Sequence, residues 1–283
     1  MSALISTAFV AQFDAEVKQA YQGLSRLMGS VRTRTGVVGS THRFPKIGKG
    51  LAQPRVPQSD VTPMNTAHSN ATATLADWAA PEYTDIFDQQ KVNFDERAQL
   101  VKVVAGALGR RLDQIIIDAA DGVGTTLLVP STVGTNAAMD MTKLRRTRKL
   151  LDAQGVPSTG CHFAWSAAAK EQLLGSTPAT SSDFNTARAL VNGELNEFLG
   201  FKFHLIEDRD EGGLTLVGTD RTLLAWHEDA VGLAIGINMS TEINYIAEKT
   251  SWLTTGKLSA GAVGIDALGI VEITIDESVV IAS

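Results

Sequence analysis

A long stripe of apolar side chains constrains this chain most. Between residues 94 and 121 the apolar positions recur every three or four residues, which places them on one face of an α-helix. Asn93 offers an N-cap with Glu96 three residues later, and Gly122 and Gly124 follow as stop signals. At 1.5 Å per residue the helix would be about 40 Å long, which is long for a globular domain and suits a rigid strut. The stripe consists of Phe94, Ala98, Val101, Ala105, Leu108, Leu112, Ile115 and Ala119.

The segment before this helix has a different character. Glycine and proline are frequent between residues 31 and 75, and two extended pieces, 43–47 and 71–75, flank a polar stretch. This pattern predicts a long two-stranded loop with little apolar content. Isolated hairpins are marginal in water, and loops of this length are uncommon inside compact domains. We therefore expect the loop to need a partner surface.

Charges are segregated along the same part of the chain. Every charged residue between 31 and 59 is basic, whereas nearly all of those between 77 and 96 are acidic. A basic loop and an acidic base in one chain can pair between copies, although a solvated hairpin with scattered charges is the alternative. The predicted inter-subunit contacts are the loop residues Arg43, Lys46, Lys49 and Arg55 and the acidic partners Glu82, Asp85, Asp88 and Asp95.

The remaining sequence mixes helical and strand patterns. Residues 1–30 are amphipathic and predict either an arm packed on a neighbour or the first helix of the same domain. No repeat of fixed period is visible, and the overall class is α+β. Further helices are predicted at 140–153, before 174 and at 184–191, and strands at 126–129, 160–165, 201–206, 214–217, 223–226, 231–237, 241–246 and 271–275.

Bulk composition excludes several classes of protein. The 283 residues suffice for one large domain or two smaller ones, and the net charge of -6 argues against a dedicated nucleic-acid binder. An acidic wall that encloses nucleic acid without gripping it remains allowed. Cys161 is the single cysteine, so no intrachain disulfide can form. Neither a signal peptide nor a membrane span is recognisable, which predicts an intracellularly made protein without membrane contact.

No catalytic sequence motif is recognisable. Phosphate-binding, dinucleotide and nucleophile-elbow motifs all fail on their spacing. His227-Glu228-Asp229 is the only dense cluster of potential metal ligands, and we interpret it as a solvated turn because a second histidine is missing. Cys161 lies in an apolar strand and is predicted to be core. We therefore predict no catalytic residue, no cofactor and no metal site.

Two more charged clusters allow two interpretations. Each cluster could face a neighbouring subunit or nucleic acid. The basic cluster lies on a helix and consists of Lys143, Arg145, Arg146, Arg148 and Lys149. The acidic cluster lies in a turn and consists of Glu207, Asp208, Asp210 and Glu211. A plain solvated face is the more common explanation for each cluster.

The order of these parts resembles the Hong Kong 97-type major capsid proteins of tailed phages, and most closely those of short-tailed phages. The stretch 43–48 resembles the outgoing strand of the family's extended loop (E-loop). Residues 93–122 resemble its spine helix with the glycine that follows, and residues 192–206 resemble the stretch leading into a strand of its axial domain.

The resemblance implies a division of the chain. Residues 1–35 would form an N-terminal arm and residues 36–78 the extended loop. Residues 79–125 would form the peripheral domain, with its spine helix at 94–121. Residues 126–238 would form the axial domain, with short helices and a central sheet. Residues 239–283 would return to the peripheral domain as strands.

The resemblance also implies a function and partners. The chain would assemble with itself into hexamers and pentamers of an icosahedral head, in the host cytoplasm, and reside in the virion. Its partners would be a separate scaffolding protein, a portal, possible decoration proteins and an enclosed double-stranded DNA bound without sequence specificity. An encapsulin-like compartment shell is the main alternative, although its extended loop is usually shorter. A tail-tube or decoration protein fits the long helix poorly, and a soluble enzyme would need a polar constellation that is not visible.

Overall fold

The structure, a computed structural model, describes residues 25–61, 63–89, 96–123, 127–134, 136–175, 197–209 and 211–279. Within these ranges the helices are α1 (Ile86–Gln89), α2 (Glu96–Asp121), α3 (Met141–Ala153) and α4 (Ala167–Gly175). The strands are β1 (Arg32–Thr35), β2 (Thr41–Ile47), β3 (His68–Thr74), β4 (Ala76–Asp85), β5 (Leu128–Val129), β6 (Cys161–Trp165), β7 (Glu197–Phe198), β8 (Phe201–Leu205), β9 (Leu216–Val217), β10 (Asp220–His227), β11 (Val231–Ile246), β12 (Ser251–Gly264) and β13 (Ile270–Asp276).

One sheet has four strands in the order β1-β11-β12-β4. The long strands β11 and β12 form its antiparallel centre, β4 adds antiparallel to β12, and β1 adds parallel to β11. Helix α2 packs on one face of this sheet, and the β2–β3 hairpin packs on the other. The sheet is therefore the middle layer between the predicted spine helix and the root of the predicted loop.

Glycines in β12 allow this close packing. A Cβ added at Gly256 would overlap Val104 of α2, and one added at Gly264 would overlap Val123 just beyond the helix. A Cβ at Gly261 would instead overlap the carbonyl oxygen of Thr74 in the hairpin. Because successive strand residues point to opposite faces, the even-numbered glycines accommodate the helix and the odd-numbered one accommodates the hairpin.

The second sheet has seven strands and holds most of the aromatic core. Its path is β5-β13-β10-β6-β8-β7, with β9 paired to β10. All five residues of β6 are buried, and Phe163 meets Phe201 edge-on at a centroid distance of 5.8 Å. Asp140 caps the N-terminus of helix α3, and its carboxylate accepts a hydrogen bond from Lys143 N at 2.8 Å. This cap satisfies one of the free backbone donors of the first turn.

The α+β class is confirmed, and so are several predicted elements. Helix α2, the two loop strands β2 and β3, and helix α3 lie where the apolar patterns place them. The two strands predicted at 231–237 and 241–246 are one strand, β11, with irregular pairing between Ile235 and Ser240. The predicted helix at 184–191 and the arm residues 1–24 lie outside the described residues.

The predicted division of the chain differs from the observed sheets. Strand β11 runs across the expected boundary at residue 238, and β13 belongs to the seven-stranded sheet. The reason is that β13 pairs with β10 along seven residues and buries Val271, Ile273 and Ile275 in the core of that sheet. The structure therefore places β13 in the seven-stranded sheet, and the assignment of 239–283 to the peripheral domain stays a prediction.

Candidate assembly surfaces

The extended loop has a paired root and an irregular outer part. Strands β2 and β3 pair from Thr41↔Thr74 to Ile47↔His68. Between them, the described residues of 48–67 contain no helix or strand. Several apolar side chains in this outer part are exposed, with Leu51 at 83% and Val61 at 76%. Exposed apolar groups concentrated on one projection are typical of a surface that becomes covered on association. They are Leu51, Val56, Val61 and Met64.

The root of the loop is fixed to its own subunit. Phe44 and Ala73 are buried with Ala234 in a small cluster separate from the main core. Gly232 lies under the Phe44 ring, since a Cβ added there would be 2.8 Å from Phe44 Cε2. The four-stranded sheet therefore sets the direction in which the loop leaves the body.

The four predicted loop cations divide into two groups. Lys46 forms an ion pair of 2.8 Å with Asp266, and Lys49 donates to the carbonyl oxygen of Gln154 at 2.9 Å. Both contacts tie the loop to the chain that carries it. Arg43 and Arg55 form no ion pair within the part of the chain that the structure describes. Pairing between copies stays a prediction, and the two arginines are the groups still available for it.

The predicted acidic partners lie along and beyond β4. Glu82 is exposed on this edge strand, and Asp85 ends it, with its Oδ1 accepting from Phe87 N at 2.7 Å. Asp88 belongs to α1, but its side chain lies outside the described part, as does all of Asp95. The structure thus brings Glu82 and Asp85 onto one edge and leaves their inter-subunit role as a prediction.

The buried carboxylate of Asp113 anchors residues 25–27 to helix α2. Asp113 of α2 is fully buried and accepts hydrogen bonds from Ser25 Oγ at 2.8 Å, Arg26 N at 3.1 Å and Leu27 N at 3.2 Å. Arg209 Nη2 donates to the same carboxylate at 2.9 Å. Sequence reasoning missed this anchor, and an aspartate beside Leu112 on the apolar stripe is the signal that could have indicated it.

The acidic turn is largely engaged within the chain, whereas the basic helix is engaged through Lys143 and Arg148, and its Arg145, Arg146 and Lys149 are exposed as a solvated face would be. Lys143 is completely buried, and its Nζ donates to the carbonyl oxygens of Ser131, Ala137 and Ala138. A solvated or partner-facing role is therefore wrong for Lys143. The acidic turn residues form ion pairs with Arg26, Arg111, Arg209 and Arg221. Among them, Asp208 remains substantially exposed, and Asp210 lies outside the described residues.

Two histidines meet in the second sheet. His162 Nδ1 lies 2.9 Å from His204 Nε2 across the parallel strands β6 and β8. Burial, reinforced by the positive charges of His204, Lys202 and His227, lowers the pKa of His162 to about 4. Burial also lowers the pKa of His204. Both rings are therefore neutral at pH 7, and one ring donates its N–H to the unprotonated nitrogen of the other.

The described residues offer little to a metal or a nucleophilic mechanism. No group of three metal-ligating side chains converges among them. His227 Nδ1 accepts from Asp229 N, and Glu228 and Asp229 are exposed, in agreement with the predicted turn. Burial raises the pKa of the Cys161 thiol. None of the described helices combines the length and apolarity needed to cross a membrane.

Comparison with known proteins agrees with this architecture. The family model described as phage capsid protein matches residues 5–277. The head structure of Helicobacter pylori bacteriophage KHP40 is similar, with a TM-score of 0.79, 10% identity and 98% coverage of each chain. The capsid of Cyanophage P-SCSP1u gives 0.73 at 17% identity, covering 95% of this chain and 93% of that one. A search of curated proteins found no match.

A third similar structure is that of Mycobacterium phage Che8. Its TM-score is 0.72 at 16% identity, with 94% of this chain and 97% of that chain covered. At such identities the structural likeness shows the fold, and it confirms the capsid architecture that the resemblance implied. Because the family model spans nearly the entire sequence, this chain belongs to the phage capsid protein family.

Proposed function

We propose that the chain is the major capsid protein of a tailed phage and that it assembles into the hexamers and pentamers of an icosahedral head. The observation that carries this proposal is the extended loop, which has a root fixed on its own subunit and an outer part with exposed apolar side chains. Such a projection gains most from a surface that a neighbouring copy supplies.

Physical reasoning connects this geometry to a closed shell. A contact between a projection on one copy and a different surface on the next is heterologous, and heterologous contacts form rings when their rotation closes. The fixed root sets that rotation, because the loop leaves the sheet in one direction. Burial of the four apolar side chains in the outer part would then contribute roughly 25 cal/mol per Å² of apolar surface removed from water.

An encapsulin-like compartment shell is not favoured, because the family match and the similar structures described above are all phage capsids. The finer partners belong to the proposal. We expect a separate scaffolding protein, a portal and possible decoration proteins, with assembly in the host cytoplasm. The net charge of -6 supports a wall that encloses double-stranded DNA without gripping it.

Removing the exposed apolar groups of the loop tests the proposal. Wild-type protein, with a scaffolding protein where one is required, should form closed particles or rings of five and six in cryo-electron microscopy. The triple variant Leu51→Ser, Val56→Ser, Val61→Ser should keep the thermal stability of the subunit and lose these assemblies. Gln53→Ala, in the same outer part, serves as the matched control.

Wild-type protein that stays a monomer or dimer at high concentration and with scaffold would contradict a shell-forming role. Normal particles from the triple variant, beside normal wild-type particles, would contradict the role of the outer loop alone.

A further inference from the structure

A cleft at the root of the extended loop is lined by three arginines. It lies between β1 and β2, has a volume of about 290 Å³, and is bounded by the side chains of Phe44 and Pro45 together with Thr33 and His42. Arg32, Arg34 and Arg43 are all exposed, and the cleft lining contains no acidic residue. We propose that this cleft binds the carboxylates of the β4 edge of a second copy of the chain. This inference rests on the self-assembly proposed above.

The three arginines have no counter-ion among the described residues of their own subunit. None of them forms an ion pair or a side-chain hydrogen bond within the described part of the chain, although most other arginines of the body do. A planar guanidinium with five donors suits the two oxygens of a carboxylate, and grouping three of them raises the local positive potential. In a chain with a net charge of -6, such a cleft is a specific feature and not a general property of the surface.

The complementary charge lies at the opposite edge of the same sheet. Strand β1 forms one edge of the four-stranded sheet, and β4, which carries Asp77, Glu82 and Asp85, forms the other. Three strand spacings separate the two edges, or roughly 14 Å. We call Asp77, Glu82 and Asp85 the acidic edge. Neither Asp77 nor Glu82 forms an ion pair within the described residues.

The arginines and Asp77 also occupy the hairpin-covered face, whereas Glu82, which pairs with Thr254, projects on the helix-covered side of the same edge. Arg32 and Arg34 pair in register with Gly232 and Ala234, which contact the hairpin residue Phe44. Asp77 pairs with Ser259, which lies two residues before Gly261, the glycine that meets the hairpin. Because side chains alternate between faces, Asp77 projects on the same face as the arginines. An identical copy placed edge to edge would therefore present the Asp77 carboxylate to the cleft, with Glu82 farther along the same edge.

A second copy fits these observations better than nucleic acid. The cleft is local, its complement exists on the same chain, and basic-to-acidic edges generate the head-to-tail contact that a ring requires. A surface that holds nucleic acid would be expected to extend the positive charge along a face. The positive charge of the cleft is instead confined to the β1 edge. Strands β11 and β12 separate it from the acidic edge on β4.

Charge reversal on each side tests the pairing. The cleft variant Arg34→Glu, Arg43→Glu and the edge variant Asp77→Lys, Glu82→Lys should each assemble roughly tenfold less than wild type, or worse, because like charges then face each other. Asp85 is left unchanged because it accepts the hydrogen bond from Phe87 N. A chain carrying all four substitutions should regain rings and shells. Mass photometry and negative-stain microscopy measure assembly, and circular dichroism verifies folding.

Mixing the cleft variant with the edge variant gives a sharper readout. Opposite charges meet at every contact only if the two chains alternate around the ring, which is possible for six subunits and impossible for five. The mixture should therefore recover hexamers in preference to pentamers. Arg146→Glu, which reverses an exposed arginine of α3 outside the cleft, is the matched control and should not be rescued by the edge variant.

The outcomes separate this inference from the proposed function. Wild-type shells with an unaffected cleft variant, or a cleft variant that no edge substitution rescues, would overturn the pairing while leaving shell formation intact. Loss of binding to a short duplex DNA in the cleft variant, without rescue of assembly in the fourfold variant, would assign the cleft to nucleic acid and also overturn the pairing. Failure of wild type to assemble would instead overturn the proposed function.

Discussion

Phe44 in the loop root lies against Gly232 in β11, and the space for its ring exists because residue 232 has no side chain. The contact joins two segments that are far apart in sequence and decides where the loop points. Substitution at residue 232 should therefore alter assembly more than it alters folding.

Gly232→Val should displace the Phe44 ring and tilt the loop. We expect the free energy of unfolding to fall by about 1–3 kcal/mol, as is usual for overpacking, and assembly to be lost. Chemical denaturation and electron microscopy provide the two measurements. Gly29→Ala is the control, because a Cβ at that position meets no atom within 4 Å. Normal shells from Gly232→Val would show that the direction of the loop is set elsewhere.

Asp113→Asn should weaken the anchor that holds residues 25–27. The amide keeps the shape of the carboxylate but leaves Arg209 without its buried counter-ion, and removing one partner of a buried pair costs about 3–5 kcal/mol. The melting temperature should fall, and the amides of Arg26 and Leu27 should exchange faster in hydrogen–deuterium exchange. Asp118→Asn, exposed on the same helix, should change neither. Unchanged exchange at these two amides would contradict the anchor.

Lys143→Met should destabilise the loop that precedes α3. The substitution retains most of the side-chain volume but leaves three carbonyl oxygens without their shared donor, and the buried one, of Ala138, costs about 1–3 kcal/mol when left unsatisfied. Chemical denaturation should report a loss of at least one such increment. Lys149→Met, exposed on the same helix, is expected to be close to neutral. Equal stabilities for the two variants would contradict a structural role for the buried ammonium.

The histidine pair should make the subunit sensitive to acid. The pKa of His162 is about 4 in the folded state against an ordinary value of 6.5, so between those pH values the unfolded chain binds a proton that the folded chain does not. Stability therefore rises with pH through this window and is lost as pH falls, by about 3 kcal/mol at most. His162→Gln should flatten the dependence of unfolding free energy on pH between 6.5 and 4.

The control for the histidine prediction is His68→Gln, which alters an exposed residue of β3. It should retain the acid sensitivity of wild type. If His162→Gln and wild type lost stability in parallel as the pH falls, the sensitivity would have to come from other groups.

Local patterns in the sequence predicted the elements whose apolar spacing is regular. The apolar stripe predicted helix α2. The strand predicted at 160–165 corresponds to β6, whose five residues are all buried. Strand β12 escaped prediction because its glycines, serines and threonines disguise a strand of 14 residues. Those glycines make sense only when the helix on one side and the hairpin on the other are both known.

Charges were predicted less well than elements, because a sequence does not show which charge lies near which. The acidic turn 207–211 is paired largely with arginines of its own subunit, and Lys46 meets Asp266 near the opposite end of the chain. The loop arginine Arg43 forms no ion pair within the described residues. Its neighbours in the cleft, Arg32 and Arg34, come from β1, a strand that was not predicted.

The glycines of β12 also determine how much depth the subunit needs. At Gly261 the main chain of β12 lies close to the main chain of the hairpin. At Gly256 and Gly264 it lies close to side chains on the helix side of the sheet. Three layers are thereby compressed along the normal to the sheet, and fewer atoms are used for thickness. A protein whose copies must tile a surface can then devote more of its residues to breadth, so that each copy covers a larger area for its mass.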